Sequence, residues 1–230
     1  PDYAPDWISR HTWNDIEYAR LDSTPTLSWF VNMAALEFHT SFNVYDKEDY
    51  PTSIVFDLDP SEGQSFEDVV EIALLVKEIL DSLAITGYIK TSGASGMQLY
   101  IPTGGKYDYE TARKINEFFG SYFAQKYPQK ITIERMVEKR GTKLYFDYLQ
   151  MWQGKTITMV YSPRARESAA ISMPVTWDEV RKGIQPGDFT LNNALERLQT
   201  TGDLFKPLLI AKEPEKSLDS VAEQILKSAQ

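Results

Sequence analysis

The sequence predicts an α+β fold in which a mixed or antiparallel sheet is flanked by helices. Three observations predict it. The apolar segments succeed one another as β-α-ββ-α-βββ, not in the strict alternation that a doubly wound parallel sheet needs. Two long periodic segments, beginning near Ser65 and Tyr109, are helical in pattern, whereas the runs between them are short and β-branched. Finally, 230 residues of which 42% are hydrophobic and 13% aromatic are enough for a core that needs no staples.

The opening, Pro1 to Asp22, has prolines, tryptophans and mixed charge but no clear period. At Ser23 a Ser-Thr-Pro-Thr run starts a helix with proline in its first turn, and Leu27, Phe30, Val31, Ala34 and Leu36 follow a rough helical period. Tyr50-Pro51 breaks the chain before Ser53 to Pro60, a short apolar run predicted as a buried strand that ends at Pro60. Ser65 caps the next helix, with Glu67 and Asp68 in its first turn and Val69 to Leu83 supplying the apolar face. Strands follow at Tyr88–Thr91 and Gln98–Pro102, separated by a Ser-Gly-Ala-Ser-Gly turn. A second helix spans Tyr109 to Lys126. Ile131–Glu134, Lys143–Leu149 and Thr156–Tyr161 are predicted as strands, with a connection around Arg140-Gly141. Trp177–Lys182, Leu191–Thr200 and a charged tail from Leu218 are predicted as helices.

Composition excludes several chemistries. With no cysteine there is no disulfide scaffold, Cys-type zinc site, iron–sulfur cluster or thiol nucleophile. Two histidines, His11 and His39, are too few for a His-rich metal centre. No run of 18 uncharged apolar residues and no signal peptide is present, so a soluble intracellular protein is expected. There is no initiator methionine, so a fragment or trimmed chain is expected. The net charge of −9 argues against a nucleic-acid partner, but it is unevenly spread. Between Lys126 and Arg166 nine basic residues face three acids, a local +6 that leaves −15 for the rest. Such a stretch either holds a phosphate backbone or is a solvated charged face.

Asp57 and Asp59 lie two apart on a predicted strand, so both carboxylates project from one face while Phe56 and Leu58 point into the core. Carboxylates sharing a face repel unless a cation lies between them, and Mg²⁺ or Mn²⁺ takes such oxygen ligands. Asp147 lies within the apolar run Leu144 to Leu149, where it needs a positive partner. Taken singly, the pair could merely end a strand and Asp147 could pair with an arginine. Taken together, the three acids point to a two-metal phosphoryl-transfer site. The segment Ile54 to Asp59 also resembles the first motif of haloacid-dehalogenase phosphatases, but the second half of that pattern fails. Gly187-Asp188 and Gly202-Asp203 are followed four residues on by Asn192 and Pro207 rather than an acid.

Lys90 to Gln98 forms a strand, a turn with two glycines and hydroxyls, and a strand. Glycines let backbone N–H groups approach an anion, so the turn suits a triphosphate, although it also fits an ordinary hairpin. Arg140 and Lys143 precede Asp147, and Arg164 and Arg166 follow Tyr161-Ser162-Pro163. Guanidinium groups match phosphate oxygens, and equally form surface ion pairs.

Asp57-Leu58-Asp59-Pro60, Lys90-Thr91-Ser92-Gly93, Asp147-Tyr148-Leu149-Gln150 and Tyr161-Ser162-Pro163-Arg164-Ala165-Arg166 together resemble the polymerase domain of bacterial ATP-dependent DNA ligase D, within the archaeo-eukaryotic primase superfamily. Pro5-Asp6-Trp7, Ala35-Leu36-Glu37-Phe38-His39 and Pro174-Val175-Thr176-Trp177-Asp178-Glu179 are similar to it as well. The resemblance runs to about Leu208, implying a primase-like polymerase domain over 1–208 and a charged helical tail over 209–230. It implies a template-dependent polymerase for non-homologous end joining that uses two Mn²⁺ or Mg²⁺ ions, takes NTP or dNTP with preference for ribonucleotides, acts on DNA ends, and works at the nucleoid with Ku and the ligase and nuclease domains. By motif, Asp57, Asp59 and Asp147 would be metal ligands. Ser92 would hold the nucleotide's phosphates, aided by Arg164 and Lys90. His39 would lie at the ribose, though at a helix end it could equally be a satisfied histidine. Arg140, Gln150 and Lys143 would wall the site. Many family members have histidine where this chain has Gln98, which can donate a hydrogen bond to a phosphate oxygen but carries no positive charge. Family domains begin some tens of residues earlier, so poor DNA binding is expected of a chain that starts at Pro1.

Overall fold

The computed structural model describes residues 3–228. Strand β1 (Arg10–Trp13) and strand β2 (Ile16–Ala19) form a hairpin whose two turn residues, Asn14 and Asp15, take positive φ of 50° and 61°. That is the backbone which right-twisted hairpins favour, and Asn and Asp tolerate it. Helix α1 (Thr24–Asn32) follows, then β3 (His39–Thr40), β4 (Ser53–Asp59), α2 (Phe66–Ser82), β5 (Tyr88–Thr91), β6 (Met97–Pro102) and α3 (Tyr109–Lys126). Next come β7 (Ile131–Thr132), α4 (Val137–Arg140), β8 (Leu144–Phe146), β9 (Ile157–Thr158) and β10 (Pro174–Val175). Helices α5 (Trp177–Lys182), α6 (Ala194–Thr201), α7 (Lys206–Ile210) and α8 (Lys216–Ser228) close the chain. None of the described helices is long and apolar enough to cross a membrane.

Six strands make the main sheet in the order β10-β5-β6-β4-β8-β7, antiparallel throughout except for β7 against β8. This is the mixed α+β architecture the sequence predicts. The predicted strands 131–134 and 143–149 are shorter than expected. They pair in parallel because the unpredicted α4 lies in the connection between them and returns the chain to the same end. The predicted strand 156–161 leaves the main sheet: only Ile157–Thr158 is extended, and it pairs with His39–Thr40 in a separate ribbon. Helix α1 stops at Asn32, short of the predicted Leu36, where Ala34 turns to φ 62°.

Alternation along β4 gives each face of the sheet its task. Ile54, Phe56 and Leu58 point to the helix side and are fully buried. Phe56 meets Phe119 and Phe123 of α3 at 5.3 and 6.0 Å between ring centroids, and Phe146 of β8 at 5.0 Å. These four rings pin α3 beneath the strands that carry the acids, and edge and tilted ring contacts add to the area they bury. Helix α2 lies on the same side, its Leu80 beside Leu99 below Gly87. Its start is fixed by a reciprocal pair, Ser65 accepting from the Asp68 amide while Asp68 accepts from the Ser65 amide. Within the charged helical segment at the C-terminal end, Leu218, Ala222 and Ile225 of α8 are buried in the common core, and Asp219 takes hydrogen bonds from Lys106 and Tyr107.

Gly120 of α3 faces Phe146 so closely that a Cβ there would lie 2.8 Å from the ring. Gly120→Val is therefore expected to destabilise the fold by about 2 kcal/mol or more, since overpacking outweighs any gain in helix propensity. Urea unfolding measures this, and an unchanged midpoint contradicts the packing described.

Candidate active site

The acids meet because β4 and β8 are antiparallel neighbours. Leu58 pairs with Phe146 and Asp59 with Tyr145, and one step further the Asp147 amide donates to the Asp57 carbonyl at 3.1 Å. Residues opposite each other in such a ladder project from the same face, so Asp57, Asp59 and Asp147 converge on the side away from α3. Asp147 is not in mid-strand as predicted. Strand β8 ends at Phe146, and Asp147 starts a 3-10 turn over Tyr148–Gln150. Its Oδ1 accepts from the Leu149 amide and the Tyr145 hydroxyl, both at 3.0 Å, a local bond that competes with the ladder and stops the strand.

The electrostatics of this group are strained. Burial, then the charges of Asp59 and Asp147, push the Asp57 carboxyl up to about 8, with Gln98 and Lys90 opposing. Asp59 is also raised, by burial first and by Asp147 second, with Arg140 countering. Three mutually repelling oxygen donors with little compensating positive charge suit a hard divalent cation such as Mg²⁺ or Mn²⁺. The cage is not preformed: among the described residues no three Asp, Glu or His side chains are gathered as a ready metal cluster.

Beside Asp57 the same face carries Gln98 and Lys90, in register across β6 and β5. Gln98 Nε2 donates to Asp57 Oδ1 at 3.2 Å, and Lys90 Nζ donates to Gln98 Oε1 at 2.5 Å and to Ser172 Oγ. Lys90 is 0% exposed, and burial lowers its ammonium to about 7. Both side chains thus spend polar groups inside the protein, on Asp57, on Ser172 and on each other.

Ser92 opens the glycine turn. Its Oγ accepts from the Ala94 and Gly96 amides at 3.1 Å each, which curls the loop. Gly93 has φ +70° and a Cβ there would strike Arg164 Cγ at 2.6 Å, while one on Gly96 would lie 2.5 Å from the Leu58 carbonyl. Only glycine lets the loop seat against both β4 and Arg164. Arg164 Nη1 in turn donates to the Ser92 carbonyl at 2.9 Å and to Thr158 Oγ1 at 2.8 Å. A cleft of about 600 Å³ opens beside this loop, lined by Gly93, Ala94 and Ser95 on one wall and Arg166, Glu167 and Ser168 on another. Arg166 belongs to the motif Tyr161 to Arg166, but nothing in the sequence separates its role from that of Arg164.

His39 is exposed on β3, its Nε2 2.7 Å from Glu37 Oε1. Glu37 is the residue sequence reasoning missed. It accepts from the Ala165 amide at 2.9 Å and lies 3.1 Å from Arg164 Nε. That amide, the His39 ring and the Arg164 charge lower it to about 2. One carboxylate therefore links His39 to the arginine that braces the glycine loop. Its place in the motif Ala35 to His39 was visible, but no spacing rule connects residue 37 to residue 164.

The remaining wall residues divide. The Arg140 guanidinium stacks 3.7 Å over Tyr145, whose hydroxyl reaches Asp147, and Arg140 Nε donates to the Glu134 carbonyl at 2.9 Å. It thus stands beside the acids. Gln150 instead turns to the Thr156 carbonyl at 2.7 Å. Lys143 is partly exposed, and its backbone carbonyl accepts from Ser61 Oγ at 2.5 Å.

The raised Asp57 carboxyl has a stability consequence with a definite sign. The folded protein keeps a proton there that the unfolded chain releases near pH 4, so stability is lost as pH rises toward the folded value of about 8. Asp57→Asn removes this loss. In chelator, its melting temperature is expected to exceed that of the parent by a margin that grows between about pH 4 and about pH 8 and then levels off, at roughly 2–4 °C per kcal/mol. Thermal melts across pH check it, and a constant margin contradicts it.

The sequence matches the family described as LigD, primase-polymerase domain, over residues 1–205. Among curated relatives, the bifunctional non-homologous end joining protein LigD of Bacillus subtilis is 38% identical over 206 residues, covering 89% of this chain and 34% of that protein. The multifunctional LigD of Mycolicibacterium smegmatis is 30% identical over 211 residues, covering 89% and 28%. The chain thus spans about a third of the length of these relatives. Among solved structures, the polymerase domain of Mycobacterium tuberculosis ligase D in complex with DNA superposes with a TM-score of 0.80 at 27% identity, covering 90% of this chain and 76% of that one. With the family's pattern running through nearly the whole described fold and through every strand that bears an acid, the chain belongs to the LigD primase-polymerase family.

Proposed function

We propose that this chain is a template-dependent nucleotidyltransferase that extends or fills DNA ends with ribo- or deoxyribonucleotides in non-homologous end joining. The observation that carries the reading is the placement of Asp57, Asp59 and Asp147 on one face of neighbouring chain segments, beside a glycine loop braced by Arg164. The names of the relatives support end joining as the process, and the DNA bound to the solved neighbour supports DNA as the partner. Ku and the ligase and nuclease activities of a longer LigD are the expected partners in the pathway.

In this scheme Asp57, Asp59 and Asp147 would hold two divalent cations, Mn²⁺ or Mg²⁺. Bound there, such ions would supply Lewis acidity for a primer 3′-hydroxyl and for the charge on the departing pyrophosphate. The protein's own part is positioning and charge. Of the loop's amides, those of Gly93 and Ser95 make no hydrogen bond to a described residue and are offered to the triphosphate, while Arg166 on the facing wall of the cleft meets phosphoryl oxygens and Arg164 braces the loop from behind. His39 is held by Glu37, and in this scheme it would face the ribose and favour a 2′-hydroxyl. Arg135, Lys139, Arg140 and Lys143, on and around α4, give a positive wall beside the acids on which a nucleic-acid backbone can lie.

The test is incorporation of a labelled ribonucleotide opposite a gapped template with Mn²⁺. Release of pyrophosphate in step with extension is the expected result, whereas release of inorganic phosphate without extension identifies a phosphohydrolase and metal-independent DNA binding alone identifies an end-binding module. Asp147→Ala is expected to abolish extension while the melting temperature is retained; full extension in that variant refutes the scheme. His39→Ala is expected to narrow the preference for ribonucleotides over deoxyribonucleotides, read as the ratio of kcat/KM values. An unchanged ratio removes His39 from the ribose.

A further inference from the structure

Among the described residues, Asp57 and Lys90 are the two charged side chains buried in the protein interior. They do not touch: Gln98 stands between them, in the same cross-strand row of β5, β6 and β4. An amide has one accepting and one donating end, and its direction is set by its neighbours. An ammonium only donates, so Lys90 demands the oxygen of Gln98, and the Gln98 NH₂ is then turned toward Asp57 Oδ1. Lys90 is itself held from behind, since it donates to Ser172 Oγ, and the Ser172 hydroxyl donates a hydrogen bond to the Thr91 carbonyl at 3.1 Å. The donor–acceptor direction is therefore fixed along the whole row, from Lys90 through Gln98 to Asp57. Asp57 Oδ2 makes no hydrogen bond to a described residue.

We propose that Lys90 is a positioning residue, acting through Gln98: it fixes the orientation of the Gln98 amide, which holds one oxygen of Asp57 and leaves the other for a divalent cation. This assigns Lys90 and Gln98 to the metal side of the site, where the sequence had placed both on the nucleotide's phosphates. A side chain that is fully buried, with Nζ bonded to Gln98 and Ser172, does not reach a ligand in the cleft. The proposal rests on the reading of Asp57 as a metal ligand.

The experiment compares the parent with Lys90→Met, Gln98→Met and the double variant, all close to the original volumes. Three quantities are read: Mn²⁺ affinity in the absence of nucleotide, by electron paramagnetic resonance of free Mn²⁺; kcat and nucleotide KM for gap filling; and melting temperature. Lys90→Met is expected to weaken Mn²⁺ binding by about 10-fold and to lower kcat comparably, with nucleotide KM unchanged, the size usual for residues that orient a metal ligand. The double variant is expected to bind Mn²⁺ no more weakly than Gln98→Met alone, because Lys90 acts only through the amide. Lys90→Met with parental Mn²⁺ affinity overturns the proposal, as does a raised nucleotide KM with kcat intact, or additive losses in the double variant. If Gln98→Met does not fold, Lys90→Met alone decides by its Mn²⁺ affinity. A parent protein that binds no Mn²⁺ overturns the metal reading and this proposal together, whereas a parent that binds Mn²⁺ and fills gaps beside an equally competent Lys90→Met overturns only the role of Lys90.

Discussion

The structure depends on one strand serving two incompatible environments. Strand β4 is paired on both sides, to β6 along most of its length and to β8 at its end. Its even-numbered side chains are locked into the aromatic core over α3, and its odd-numbered ones then have no choice of direction. Asp57 cannot turn away from Asp59 or Asp147 without breaking a ladder or exposing Phe56. The apolar burial on one face thereby sustains the charge repulsion on the other. Folding energy from the core, of the order of several kcal/mol for the aromatic cluster alone, holds together a group of acids that would otherwise separate.

That arrangement explains which parts could be read from sequence. Strand β5 and helices α3 and α5 fall where the pattern puts them, because each is bounded by strong local signals such as Asp108 before α3 and the Thr176–Glu179 capping box before α5. The two-residue spacing of Asp57 and Asp59 likewise sets their common face without any tertiary information. Asp147 was visible as an acid in an apolar run but not as a strand terminator, since that depends on its own bond to the Leu149 amide. The hairpin of β1 and β2 escaped because its side chains are largely exposed and leave no alternating signal; only the Asn14-Asp15 pair marked it.

The less legible part is the one built from long-range pairs. Glu37 meets Arg164 across 127 positions, and Ser172 meets Lys90 across 82. Composition and period carry no trace of such contacts. The same holds for Gln98. Its chemistry as a donor was foreseen, but its partner is a carboxylate of the protein, decided by the register of β6 against β4. Residue type thus set what each group could do, and strand register chose with whom.

The main sheet finishes at both sides in strands of two residues, β10 and β7, and one of them begins with Pro174, which has no amide hydrogen to offer. Sheet margins are where foreign chains add on, and such short stubs give an incoming strand almost no hydrogen-bonding length to grip. A long central ladder carrying the acids is thereby combined with margins too brief to seed domain exchange or fibre growth.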